Sequence, residues 1–115
     1  MSLLRSLFGA KKDYSGIVEV LHKTSFKSAI SDKKVRIIDV RTPNEFGQGH
    51  IKNAMNVDFF NQYSFTNYFK KIDKKDPLYI YCRSGARSKK ASHKLADMGF
   101  EKIYDLQGGY SNWKL

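Results

Sequence analysis

Between Asp76 and Gly99 the hydrophobic period of the chain changes once, and that change restricts what the chain can fold into. Asp76-Pro77 marks a turn, and Leu78-Tyr79-Ile80-Tyr81 after it is a short apolar run of strand character. From Arg87 to Met98 the spacing becomes helical, with Ala91, Leu95 and Met98 on one face and Gly99 as the stop. A strand passing through a short loop into a helix is the unit from which parallel sheets are built.

The rest of the sequence repeats this alternation. Val18 to Leu21 reads as a short first strand. Ser25 to Ile30 reads as a helix behind a Thr24 or Ser25 cap. Val35 to Val40 is mostly β-branched and predicts a buried strand. Pro43 opens a helical turn through Phe46, which Gly47 and Gly49 break. Ala54 to Val57 predicts another short strand. Phe59, Phe60, Tyr63, Phe65, Tyr68 and Phe69 form an aromatic stripe at loose helical spacing, read as core packing. Ile103 to Leu106 is a last strand, and Gly108-Gly109 turns into a short helix holding Trp113, which is expected to pack on the sheet. Five short strands alternating with helices predict a three-layer α/β/α domain around a mainly parallel sheet. Ligands of such sheets sit beyond the carboxyl ends of the strands.

Cys82, the single cysteine, lies at such an end. It can be read as a small buried core residue, since free cysteine is often buried. It can also be read as a nucleophile, because of the six residues after it: Arg83, Ser84, Gly85, Ala86, Arg87 and Ser88. If this loop curls between strand and helix, its successive N–H groups form a nest for an anion, and the helix adds its positive end. Arg83 and Arg87 add cationic charge, and Gly85 permits a positive φ. All of these favour a thiolate over a thiol, and they favour a negative terminal sulfur on Cys82 as well. Arg83 is expected to face either a donor or solvent. Arg87 reads as electrostatic support, or else as a pin on a carboxylate such as Asp39 or Glu45. Ser84 and Ser88 are each expected either to hydrogen-bond the sulfur through the hydroxyl or to cap the helix, with capping favoured for Ser88. Asp39, Arg41 and Glu45 are expected to form ion pairs that hold the neighbouring loops, Arg41 with Glu45 as a local pair. His50 is read as structural, and His22 and His93 as surface residues.

Three stretches, IIDVRTPNEFGQGHIKNAMNV, YIYCRSGARS and LQGGYSNW, together make the chain resemble a single-domain rhodanese from about residue 17 to residue 115. The first carries Asp39, Arg41, Glu45, Gly49, His50, Ile51 and Ala54, matching that family's Asp-Val-Arg, Glu, Gly-His-Ile and Ala signature. The second matches its active-site loop, and the third its Gly-Gly and Trp ending. The resemblance implies sulfur transfer through a Cys82 persulfide, from a small anionic donor such as thiosulfate or from a persulfide. The acceptor would be cyanide, a thiol or a protein partner, with no metal or organic cofactor. Cysteine phosphatases related in fold use a loop one residue longer. Here four residues separate Cys82 from Arg87, which suits a single outer sulfur better than a phosphate. A sulfur-carrier or redox-sensing module is the alternative to an enzyme, and a cysteine-dependent phosphatase is a weaker one.

One cysteine allows no internal disulfide and no multi-cysteine zinc site. The net charge of +10 predicts steering of anions, and no RNA-binding or zinc-finger pattern accompanies the spread lysines, so nucleic acid is not expected as a partner. Mean hydropathy is −0.55, and no apolar run is long enough to span a membrane. A cytoplasmic location is expected. Residues 1–16 are read as an N-terminal extension, flexible or amphipathic, ahead of a domain over 17–115.

Overall fold

The computed structural model describes residues 13–115; the expected extension falls mostly on residues 1–12, outside this range. Five strands form one sheet: β1 (Val18–Leu21), β2 (Arg36–Asp39), β3 (Met55–Asn56), β4 (Leu78–Tyr81) and β5 (Ile103–Leu106). Their spatial order is β1-β5-β4-β2-β3, and every pairing is parallel. The helices are α1 (Lys23–Ile30), α2 (Pro43–Gly47), α3 (Gln62–Lys70), α4 (Ala86–Asp97) and α5 (Gly109–Trp113).

The strand alternation sorts side chains to two cores. Ile38, Ile80 and Ile103 face Phe65 and Phe69 of α3 and Ala91 and Leu95 of α4. Ile37, Tyr81 and Leu106 face the other way, where Phe26 of α1 is fully buried and Trp113 of α5 meets it edge to face at 6.2 Å. Helices therefore cover both faces, as the α/β/α reading expected.

Two elements differ from the sequence expectation. Helix α1 starts at Lys23 and not at Ser25, because the His22 ring nitrogen accepts from the Thr24 N–H at 3.3 Å and caps it. Histidine lies outside the usual capping residues. The aromatic stripe is not one buried face. Phe65 and Phe69 are fully buried in α3, whereas Phe60 ahead of the helix is 65% exposed and Tyr63 is 81% exposed. Asn61 caps α3 through its side chain, so Phe60 precedes the helix and Tyr63 points away from the sheet. His93, read as a surface residue, is half-buried and stacks on Tyr14 with ring centroids 4.0 Å apart.

Candidate active site

The parallel sheet delivers the carboxyl ends of its strands to one edge, and Cys82 follows β4 directly at that edge. The chain then turns through Gly85, whose φ of +114° is a conformation that side-chain-bearing residues avoid. Gly85 caps α4, and its N–H donates to Cys82 Sγ at 3.1 Å. One turn on, the buried Ser88 hydroxyl accepts from the Cys82 thiol at 3.3 Å and donates to the Gly85 carbonyl at 3.2 Å. Of the two readings of Ser88, a bond to the sulfur and a helix cap, the cap was favoured. The structure corrects this: the cap is Gly85, and Ser88 lies inside the first turn, facing the sulfur. Cys82 itself is only 1% exposed and lies on the floor of the loop.

Helix α5 holds the loop from the other side. The Tyr110 N–H donates to the Cys82 carbonyl at 2.8 Å and the Ser111 N–H to the Arg83 carbonyl at 3.0 Å. A trans peptide sets its N–H opposite its C=O, so the N–H groups of Arg83 and Ser84 are turned away from α5. This contact needs glycine at position 109, where a Cβ would lie 2.6 Å from the Cys82 and Arg83 carbonyl oxygens.

Two ion pairs flank the loop. Arg41 and Asp39 are buried together, with Arg41 Nη2 2.7 Å from Asp39 Oδ2 and a further bond from Nη2 to the Gly49 carbonyl. Burial works against the Arg41 charge, but the Asp39 carboxylate outweighs it and holds Arg41 above its ordinary range. The guanidinium also lies over the Tyr110 ring at 4.5 Å, tying the segment after β2 to α5. Glu45 does not join Arg41, contrary to the expected local pair. It forks onto Arg87, at 2.6 and 2.8 Å. The reason lies in α2: the Thr42 side chain and Glu45 form a capping box, which aims the carboxylate at α4. The Arg87 hydrogen bond pulls Glu45 down to about 2, and the same bond raises Arg87.

Arg83 and Ser84 are exposed at the loop tip, as is Ala86. Arg83 lines a cleft of about 290 Å3 beside the loop with Arg41, Glu45, Gln48, Tyr110 and Lys114, a polar wall in which basic residues outnumber acidic ones. His50 is exposed, stacks on Phe46 at 3.6 Å and bonds the Phe46 carbonyl through Nδ1, so it is engaged away from the thiol. Two residues were missed in the sequence. Tyr110 supplies a ring for Arg41 and an N–H for the loop, with no signal beyond its place after Gly108-Gly109. Asp105 is a carboxylate buried in β5, and its signal was a charge inside an otherwise apolar strand.

Comparison with known proteins adds an independent line. The model of the rhodanese-like domain matches residues 22–115. The chain is 36% identical over 81 residues to the thiosulfate sulfurtransferase GlpE of Shewanella oneidensis, covering 70% of this chain and 77% of that protein. It is 37% identical over 84 residues to a tRNA uridine(34) hydroxylase of Pelagibacter ubique, covering 73% of this chain but only 28% of that longer protein. The crystal structure of a rhodanese-like domain protein from Staphylococcus aureus superposes with a TM-score of 0.72 at 27% identity, covering 83% of this chain and 90% of that one. The chain therefore belongs to the rhodanese-like domain family, and its activity is rhodanese-type sulfur transfer.

Proposed function

We propose that the protein moves a sulfane sulfur from thiosulfate or a persulfide to cyanide, a thiol or a protein acceptor, by way of a Cys82 persulfide. The Cys82 thiolate attacks the outer sulfur of the donor. A new S–S bond forms to Cys82, the old bond to sulfur breaks, and its electron pair leaves on sulfite when the donor is thiosulfate. The acceptor then attacks the outer sulfur, and the electron pair returns to Cys82. No net oxidant or reductant is consumed.

The observation that carries this reading is the Gly85 N–H, 3.1 Å from Sγ on the floor of the loop. A donor fixed before the reaction stabilises charge on sulfur without reorganisation. The outer sulfur of a persulfide extends from Sγ toward the loop amides of residues 83–88, where the same electrostatic support continues. Arg87, paired with Glu45, holds the rim of the loop in place. The cationic cleft beside Arg83 and Lys114 fits an anionic donor. A phosphoryl group would need a wider ring of amides than the four residues between Cys82 and Arg87 supply. A lone catalytic thiol fits a reducing compartment, and we place the activity in the cytoplasm.

Intact mass after exposure to thiosulfate tests the reading. Wild type gains one sulfur atom, cyanide removes it, and Cys82→Ser gains none. Mass unchanged in wild type, or cyanide-labile sulfur on Cys82→Ser, rejects it. Sustained thiocyanate production separates an enzyme from a carrier that loads once.

A further inference from the structure

Helices α3 and α4 pack on the same side of the sheet, and their outer surface is one-sided in charge. From Gln62 to Lys70 and from Ala86 to Lys94 the sequence contains no acidic residue, against Lys70, Arg87, Lys89, Lys90 and Lys94. At the end of this surface next to the sulfur loop stands Phe60, 65% exposed and yet held in place. Its N–H donates to Asp58 Oδ1 at 2.9 Å, and the Arg87 guanidinium lies over its ring at 5.2 Å. Two turns along α4, Lys94 bonds the Gln62 side-chain oxygen and lies over the Phe65 ring at 5.4 Å. Between Arg87 and Lys94, on the same helical face, Lys90 is exposed and forms no salt bridge among the described residues. Like charges at these spacings repel one another. A partner that brings carboxylates to the lysines and an apolar side chain to the ring relieves both the repulsion and the exposure.

We propose that Phe60, Lys90 and Lys94 dock an acidic segment of a protein that accepts the sulfur, with a cysteine of that segment directed into the Cys82 loop. The inference rests on the sulfur-transfer reading and names the class of acceptor. The acceptor cysteine enters as a thiolate and attacks the outer sulfur of the Cys82 persulfide. A new S–S bond forms on the acceptor, the bond to Cys82 breaks, and its electron pair stays on Cys82 as a thiolate. No oxidant or reductant is consumed.

Depth selects the kind of acceptor. Cys82 is 1% exposed, so a slender side chain on an extended segment reaches its outer sulfur better than a broad folded surface does. A cysteine on an acidic segment meets that demand. A single-stranded polynucleotide would meet the same lysines and ring, but it brings no thiol. Position selects the surface. Arg87 lies in the first turn of α4 after the loop and also covers Phe60, so a segment resting on Phe60 is beside the loop. Arg87 itself is committed to Glu45, whereas Lys94 bonds only a neutral amide and keeps its charge. Lys90 and Lys94 are therefore the cations left to meet an acidic chain, and charges at such a rim act mainly on the rate of encounter.

Two short synthetic peptides of equal length are the probes. Each has one cysteine beside one leucine; the other residues are glycine and glutamate in the first, glycine and lysine in the second. Rapid quench follows sulfur transfer from the Cys82 persulfide. Wild type is expected to load the acidic peptide about tenfold faster than the basic one at about 0.15 M salt. Lys90→Glu slows the acidic peptide about tenfold and speeds the basic one, and Phe60→Ser slows the acidic peptide about fivefold. Lys27→Glu makes the same charge change on exposed α1 across the sheet, and it leaves both peptide rates within about twofold. Cyanide unloading stays within about twofold in all three variants. Equal rates for the two peptides in wild type overturn the proposal. So does an equal loss in Lys27→Glu, which assigns the effect to net charge, or an equal loss with cyanide, which marks damage to the loop. Fluorescence anisotropy on Cys82→Ser reads binding alone, with the acidic peptide carrying serine for cysteine. Binding that Lys90→Glu weakens is expected, and no such binding overturns the proposal. Tighter binding of a deoxythymidine oligomer of the same length, lost in Lys90→Glu, assigns the surface to nucleic acid and also overturns it. Absence of loading in wild type rejects the sulfur-transfer reading alone, since the anisotropy still decides the docking.

Discussion

Two arginine–carboxylate pairs stand on either side of the sulfur loop, and they differ in burial and in reach. Asp39 and Arg41 are two residues apart, buried together, and bonded onward to the Gly49 carbonyl and the Tyr110 ring. Glu45 and Arg87 are 42 residues apart, partly open to solvent, and join α2 to α4 at the rim of the loop. The first pair is scaffold: both charges depend on each other because water is absent. The second is an anchor at the rim, where partial solvation screens the attraction between its charges. Asp105 supplies the contrast to both, a buried carboxyl whose Oδ1 has no hydrogen-bond partner among the described residues. The same side-chain chemistry brings stability in one setting and electrostatic placement in another.

Breaking the buried pair has the largest expected effect. Asp39→Ala leaves Arg41 charged and unpaired in the interior, at a cost of about 3–5 kcal/mol. For a domain of this size that lowers the thermal midpoint by about 15 °C or more, measurable by circular dichroism. A drop of only a few degrees would place the Arg41 charge in contact with water.

The unpaired carboxyl predicts a change of opposite sign. Asp105 is raised from 3.8 to about 6, so between these values the native state holds a proton that the unfolded state has lost. Stability therefore falls as pH rises through that window, by roughly 3 kcal/mol, and stays level above it. Asp105→Asn removes the effect and is expected to be more stable than wild type above pH 6, the difference closing below pH 4. Urea titrations at three pH values check this.

Cutting the rim pair costs less. Glu45→Gln should lose about 1 kcal/mol at neutral pH, because this pair is partly solvated. Glu45 is lowered from 4.5 to about 2, so its contribution is complete above 4.5 and is lost as pH falls through about 2. Wild type and Glu45→Gln should converge in acid. The smallest effect is on the field as a whole. With a net charge of +10, kcat/KM for thiosulfate should fall a few-fold between about 0.01 and about 0.15 M salt. A flat profile would confine the useful charge to Arg83, Arg87 and Lys114.

Much of this architecture was legible residue by residue. Leu78–Tyr81 and Ile103–Leu106 are strands with the boundaries expected from their apolar runs. The strands read at Val35–Val40 and Ala54–Val57 are shorter in the fold, Arg36–Asp39 and Met55–Asn56, because pairing ends before the apolar character does. The Thr42-x-x-Glu45 capping box was also in the sequence, and it would have turned Glu45 away from Arg41 had it been weighed. The division of the aromatic stripe was not legible, since Phe60 and Phe65 differ only in their place relative to the Asn61 cap.

Local order alone settled the alternation of strand and helix, the place of Cys82 at a strand end, and the glycine that lets Gly85 donate to sulfur. These depend on period, backbone sterics and neighbours a few residues away. Tertiary structure decided which arginine meets which carboxylate, that Ser88 faces the sulfur, that α5 holds the loop carbonyls, and that Asp105 is buried. Those outcomes depend on how distant segments pack. Charge pairing and desolvation act through space, and a sequence records only the order of its residues.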